Sequence, residues 1–342
     1  MTDEWSSGKL DLDAYLGRTG YTGPAEPSHA SLVALHRAHL AAIPFENLDI
    51  MLGRPVRVDL ESIQDKLVHA GRGGYCYEHG QLFGAALERL GFSVERLLAR
   101  VGPDGQPMRP RTHLTLRVRA GSGSWLADVG FGSSPPGPLS LSSSGQQDVD
   151  GWVYEVVRDE TDGTWKLREL QGDEWVTLFR AEDQRVYPAD VVMSNHYTST
   201  YPESWFTWQP IVVRREPGAI RSLLGRVYTV TRPGHVNDRR TLTDAEFVAA
   251  LSDVFGLSFT AQELATLVAA PIGPQPAPSP GLTHPRCSAT ANELARVGPP
   301  QSTTFRTSHK PQWCDLTQQT DSISGQIGRR NGHFLCKANG RG

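Results

Sequence analysis

The chain has 342 residues and a formal net charge of -3, long enough for two or three packed layers around a sizeable core. That balance leaves no electrostatic footprint for nucleic acid, and no arginine stripe or aromatic-basic interleaving offsets it. No apolar run reaches the ~18 residues of a membrane span, and residues 1–9 lack the basic-then-apolar order of a secretion signal, so the expected compartment is the cytosol, without a membrane partner.

In chain order, residues 27–43 read as a helix capped by Ser28 or Ser31, with Leu32, Leu35, His36 and Leu40 at helical spacing and Pro44 as its stop. A second helix is predicted over 75–90. Leu82, Phe83, Ala86, Leu87 and Leu90 form its apolar stripe, Gly91 follows in the C′ position, and Gly71, Gly73 and Gly74 make the turn that leads into it. From residue 94 the period changes to two, predicting strands at 94–101, 113–120, 124–131, 152–158, 164–169 and 175–179 between Gly, Asp and Ser turns. These read as a barrel or rolled sheet. A strand pair at 211–215 and 226–231 follows, then helices over 244–255 and 261–269. The body is therefore α+β, helical first, then β, then mixed.

At Pro271-Ile272-Gly273-Pro274-Gln275-Pro276-Ala277-Pro278-Ser279-Pro280 the character changes, because that run can neither continue a helix nor join a central strand. Residues 271–342 carry 8 Lys or Arg against 3 Asp or Glu, leaving 26 against 34 in the first 270, and show no apolar periodicity. They read as a Pro-rich linker and a mostly disordered tail. The tail holds Cys287, Cys314, Cys336, His284, His309 and His333, but no Cys-x2–4-Cys or His-x3–5-His ligand pair stands among them, so no metal is expected.

Cys76 is the only cysteine before residue 287. A lone intracellular cysteine is commonly a small buried hydrophobe, yet this one stands in the first turn of the predicted helix, where unpaired N–H groups and the helix dipole stabilise an anion. Such a setting lowers a thiol pKa and makes a nucleophile. The nucleophile needs a base. His79 lies one turn along the same helix with only Glu78 beside it to orient it; His113 opens a strand whose polar face is His113, Thr115, Arg117 and Arg119. A type II′ turn centred on Gly121-Ser122 pairs residues whose numbers sum to 243, which puts Asp128 opposite Thr115 and diagonal to His113, about 7–8 Å away at Cα. An odd loop would place the two on opposite faces. Asp128 also reads as a turn-capping aspartate beside Gly130.

Four stretches, Ile43-Pro44-Phe45-Glu46-Asn47-Leu48-Asp49, Arg72-Gly73-Gly74-Tyr75-Cys76-Tyr77-Glu78-His79, Thr112-His113 and Asp128-Val129-Gly130-Phe131-Gly132, resemble in order and interval the motifs of the arylamine N-acetyltransferase family, over roughly residues 10 to 270. The resemblance implies a helical domain (1–90), a β-barrel domain (91–200) and an α/β lid (201–270), with a Cys76, His113 and Asp128 triad. It implies ping-pong acetyl transfer from acetyl-CoA to an arylamine or arylhydrazine, Phe45, Thr112, Gly130, Phe131 and Phe206 about the acceptor, and Thr112, Phe131 and Gly132 about CoA. The chain departs from the pattern at Gly80, where the family often has asparagine, and residues 271–342 have no counterpart. A papain- or transglutaminase-like hydrolase, or a non-catalytic binding protein, are the competing readings, and the oligomeric state is open between monomer and homodimer.

Overall fold

The computed structural model describes residues 3–104, 109–270 and 272; the expectations for the tail fall, Ile272 apart, outside them. The first stretch folds as α1 (Leu12–Thr19), α2 (His29–Ala42), the short strand β1 (Phe45–Glu46), α3 (Leu48–Met51), α4 (Leu60–Gln64) and α5 (Cys76–Arg89). Of the two candidate caps of α2, Ser28 is the one used: its side chain accepts from the Ser31 N–H at 3.1 Å. α5 ends at Gly91, whose φ of 86° is the left-handed conformation anticipated there. Its apolar stripe packs with Leu32, Leu35 and Leu40 of α2. Every residue from Cys76 to Leu87 is buried, however, including Glu78, His79 and Gln81, because the barrel covers the other side of the helix.

The barrel comprises β2 (Ser93–Val101), β3 (Arg111–Ala120), β4 (Gly123–Leu126), β5 (Leu139–Ser140), β6 (Gln147–Val149), β7 (Trp152–Arg158), β8 (Trp165–Gln171) and β9 (Glu174–Ala181). The sheet is antiparallel in the order β5-β4-β3-β2-β9-β8-β7-β6. Its edges nearly close through one side chain: Gln147 accepts from the Ser140 N–H at 2.7 Å and donates to the Ser140 carbonyl at 3.0 Å. Gly80 lets α5 lie close to this sheet, since a Cβ there would sit 2.9 Å from a Leu114 methyl.

The hairpin that decides the site has the anticipated register. Arg117 pairs with Leu126 and Ala120 with Gly123, each pair summing to 243, and Gly121 takes φ 60°. The predicted strand 124–131 is too long. Regular pairing ends at Leu126, with one further bond from Ala127 N–H to the Leu116 carbonyl, because the carboxylate of Asp128 draws the following backbone into a turn.

Beyond the barrel come α6 (Pro188–Thr200), β10 (Ile211–Glu216), β11 (Ala219–Leu224), β12 (Val227–Arg232), β13 (His235–Thr241), α7 (Asp244–Asp253) and α8 (Ala261–Val268). β11 and β13 were not anticipated: the first is apolar without alternation and the second is a polar edge. The sheet order is β1-β10-β11-β12-β13, with Phe45 opposite Val213, so a strand from the first helical stretch joins a sheet built from much later residues. α6 also escaped the periodicity reading, because its amphipathicity is inverted. It buries Val191, Ser194, Asn195 and Thr198 and turns Val192, Met193 and Tyr197 outward. No helix among the described residues is long and apolar enough to cross a membrane.

Candidate active site

The loop before α5 is clamped by its neighbours. Gly74 N–H donates to the Pro44 carbonyl at 3.3 Å, and Glu46 N–H to the Gly74 carbonyl at 2.7 Å. A Cβ on Gly73 would lie 2.1 Å from the Pro44 oxygen, so only glycine permits this approach. Charge holds the same place. Arg72 donates to Glu46 at 2.7 Å and to Asp49 at 3.2 Å, while Lys66 bridges Asp49 at 2.8 Å and Glu78 at 2.9 Å. Glu78 in turn accepts the Tyr75 N–H at 3.0 Å, capping α5. Asn47 donates to the carbonyls of Phe206 and Gln209 and accepts from Ile211 N–H. The first two sequence motifs are therefore one buried network that fixes the start of α5, a role their spacing did not reveal.

Cys76 is the first residue of that helix. Its Sγ lies 3.6 Å from the carbonyl of Thr112, the residue before His113. Gly130 presses on its backbone, since a Cβ on Gly130 would sit 2.9 Å from Cys76 Cα. His113 Nε2 donates to Asp128 Oδ2 at 2.5 Å. The other carboxylate oxygen accepts the Gly130 N–H at 2.9 Å and the Ser134 hydroxyl at 3.0 Å. The structure thus joins His113 to Asp128, seats the sulfur against the head of the His113 strand, and leaves Nδ1 as the ring nitrogen not engaged by Asp128.

Two electrostatic outcomes differ from one another. Burial pushes the Asp128 carboxyl up, but the charge and hydrogen bond of His113 and the Gly130 N–H outweigh it and hold it below the usual carboxylate range. At Cys76 burial wins. The residue is 3% exposed, and desolvation pushes the thiol up against the backbone N–H groups of Leu114 and Tyr77. This corrects the expectation that a helix start by itself lowers the thiol pKa, because a lone thiolate here would be a second buried negative charge beside Asp128. Proton transfer to His113 would avoid that cost: the net charge of the three groups is the same before and after, so a thiolate formed in that way would be one half of an ion pair. His113 is also buried rather than open to a cleft, packed at 5.2 Å from Phe131 and 4.9 Å from Phe179.

His79 takes no part in this arrangement. Its Nε2 donates to the Pro44 carbonyl at 3.3 Å, so its Nδ1 accepts from His39 Nε2 at 2.9 Å, and His39 Nδ1 accepts from the Tyr15 hydroxyl at 3.0 Å. Burial lowers its pKa to about 4, so the ring is a neutral strut. Phe45 and Phe206 stand 6.1 Å apart and Tyr75 lies 5.5 Å from Phe206, forming one aromatic group; Phe131 belongs to another, with His113 and Phe179. Gly132, at φ 85°, faces Phe45 and Val213. Sequence reasoning passed over Ser134, Phe179, Tyr75 and Asn195. Phe179 is far from any motif signal and Ser134 lies two residues past the fourth motif, whereas the tyrosines beside Cys76 were visible but their hydrogen bonds, Tyr75 to Asn195 and Tyr77 to Thr198, depend on α6. A cleft of about 440 Å³ on the barrel, lined by Arg100, Arg158 and Arg180, holds none of the three residues; its arginines are tied to Glu182, Asp183 and Asp104.

Comparison with known proteins agrees with this geometry. An N-acetyltransferase family model matches residues 29–264. The arylamine N-acetyltransferase of Escherichia coli K12 is 35% identical over 270 residues, covering 76% of this chain and 95% of the relative; that of Mycobacterium tuberculosis H37Rv is 37% identical over 257 residues, covering 73% and 90%. Among solved structures, the Nocardia farcinica arylamine N-acetyltransferase superposes with a TM-score of 0.73 at 40% identity, covering 78% of this chain and 95% of that one. The Mycobacterium marinum arylamine N-acetyltransferase in complex with CoA does so with a TM-score of 0.71 at 33% identity, covering 76% and 100%. The Cys76 helix start, the His113–Asp128 pair and these likenesses lead to one conclusion: the chain belongs to the arylamine N-acetyltransferase family.

Proposed function

We propose that the chain transfers an acetyl group from acetyl-CoA to the amino group of an arylamine or arylhydrazine through an acetyl-thioester on Cys76. The observation that supports it best is the His113–Asp128 hydrogen bond of 2.5 Å beside the sulfur at the head of α5. His113 Nδ1 takes the thiol proton, and the Cys76 thiolate attacks the thioester carbonyl. The tetrahedral oxyanion finds backbone N–H donors at the start of α5. Its collapse breaks the bond to CoA, whose sulfur recovers the proton from His113. The acceptor amine then attacks the acetyl-cysteine, gives a proton to His113, and Cys76 leaves as the thiolate. Exchange between two thioesters is nearly balanced in free energy, so the protein's contribution is positioning and charge stabilisation.

Asp128 holds the ring in the tautomer with Nδ1 free and stabilises the imidazolium. The flat, apolar acceptor suits the aromatic side chains of the two groups, Phe45 with Phe206 and, separately, Phe131, with Thr112 and Gly130 in the same set, and Gly132 with Thr112 and Phe131 suits the approach of CoA. The reading places the reaction in the cytosol. It is tested by following CoA release with acetyl-CoA as sole acyl donor: release should rise with arylamine concentration and vanish in Cys76→Ala. Release at the same rate without amine would mean that water is the acceptor and the protein is a hydrolase.

A further inference from the structure

The helix α6 does two different things on its two sides. Its inner side holds the residues that flank the nucleophile: Asn195 accepts from the Tyr75 hydroxyl and donates to the Val56 carbonyl at 3.0 Å, and Thr198 meets the Tyr77 hydroxyl at 3.1 Å. These buried polar groups are satisfied, so nothing in the interior asks for the outer side. That outer side is apolar. Val192 is 55% exposed, Met193 68%, Tyr197 36% and Tyr201 38%, with Tyr187 at 46% just before the helix. Among the described residues, five of the seven exposed large hydrophobics stand here. Met193, Tyr197 and Tyr201 recur every four residues, and the rings of Tyr197 and Tyr201 stack at 4.7 Å. A helix normally turns this face inward, and a contiguous apolar patch of tyrosine and methionine is the composition of an interface centre.

Charge selects the occupant. Between Val191 and Pro202 the chain carries no Asp, Glu, Lys or Arg, so the face offers no handle to a charged partner and does not repel its own copy. The charges stand at its ends. Arg185, three residues before the helix, lies over the Tyr187 ring and pairs with Glu4 at 3.1 Å on the surface; Glu203 stands exposed three residues after it. A second copy of α6 laid antiparallel across a two-fold axis near Ser194 brings Arg185 of each copy toward Glu203 of the other, with the Met193 and Tyr197 ridges between them.

We propose that the outer face of α6 is the contact between two copies of this chain, packed antiparallel about a two-fold axis. Such a contact is isologous, each side chain serving twice. It also sits on the back of the helix that braces Tyr75 and Tyr77, so association stiffens the wall behind Cys76 without adding a group to the reaction.

The test is sedimentation velocity on the full-length protein from about 1 to about 100 μM, the range in which interfaces of this kind are measurable. The expected result is a species with the mass of two chains. Met193→Glu with Tyr197→Glu should weaken association by roughly 100-fold, as loss of central anchors does, with thermal melting of the monomer retained because both side chains are exposed. Arg185→Glu and Glu203→Arg should each weaken it, and the two together should restore it, the loss of Glu4's partner being common to the Arg185→Glu and double variants. A wild-type protein that stays monomeric throughout, or a dimer indifferent to the Met193 and Tyr197 changes, overturns the proposal; a double reversal that restores nothing overturns the antiparallel arrangement. The readout is mass, so none of these outcomes bears on acetyl transfer.

Discussion

Replacing Asp128 with asparagine is the sharpest test of how the proposed triad is oriented. Oδ1 of Asp128 faces two donors, the Gly130 N–H and the Ser134 hydroxyl, and Oδ2 faces His113 Nε2. In Asp128→Asn the amide has one oxygen, and the two donors claim it, which turns its NH2 toward Nε2. Two N–H groups cannot face each other, so the His113 proton moves to Nδ1 and the lone pair that should take the thiol proton is lost. The opposite amide orientation restores the tautomer but strands two buried donors, at about 1–3 kcal/mol each. It also removes the charged partner of the imidazolium, a hydrogen bond of about 1.5–3 kcal/mol. The combined penalty is about 4 kcal/mol or more, roughly a 1,000-fold slower acylation. The assay is rapid quenching after mixing with acetyl-CoA alone and quantifying acetyl-Cys76 by mass spectrometry, with circular dichroism to verify folding. Nitrogen NMR should find the His113 proton on Nδ1 in place of Nε2. An acylation rate within tenfold of wild type in a folded Asp128→Asn protein refutes the orientation argument.

Gly130→Ala puts a Cβ 2.9 Å from Cys76 Cα and 3.0 Å from its carbonyl oxygen, both backbone atoms that yield only if the head of α5 shifts. Overpacking of this kind costs about 1–3 kcal/mol, so denaturant midpoints should fall and acylation should slow, whereas Gly121→Ala, with open space around it, should lose stability only through its positive φ and leave acylation unchanged. Stability should also fall with acid. Burial pushes the pKa of His36 down to about 4 from the 6.5 of an exposed ring; below pH 6.5 the unfolded chain therefore binds a proton that the folded one refuses, and stability drops progressively until the folded ring also protonates near pH 4. The loss from His36 alone is about 3 kcal/mol. Urea unfolding from pH 7.5 to 4.5 should show it, and His36→Gln, whose amide can still reach the Asp128 carbonyl that His36 holds at 3.0 Å, should have a shallower slope; equal slopes would remove His36 from the account.

The short-range features of this protein were legible in its residues. Ser28 capping α2, Gly91 ending α5 and the Gly121-Ser122 turn with pairs summing to 243 all follow from conformations that one or two residues choose for themselves. Because that turn sets the parity of the hairpin, the residues offered the His113–Asp128 alignment as one reading beside a turn-capping Asp128, and the fold uses both. What tertiary structure alone decided is the environment. The inverted helix α6 lacks an apolar stripe toward the interior, so its existence depends on the hydroxyls of Tyr75 and Tyr77, more than a hundred residues earlier. The end of β4 depends on Ser134 and Gly130 gathering Asp128. The thiol is raised rather than lowered because burial at Cys76 sums contributions from α5, β3 and the 128–134 turn. A helix start is a local property of the chain, whereas desolvation is set by every segment that packs against the sulfur, and only the assembled fold brings those segments together.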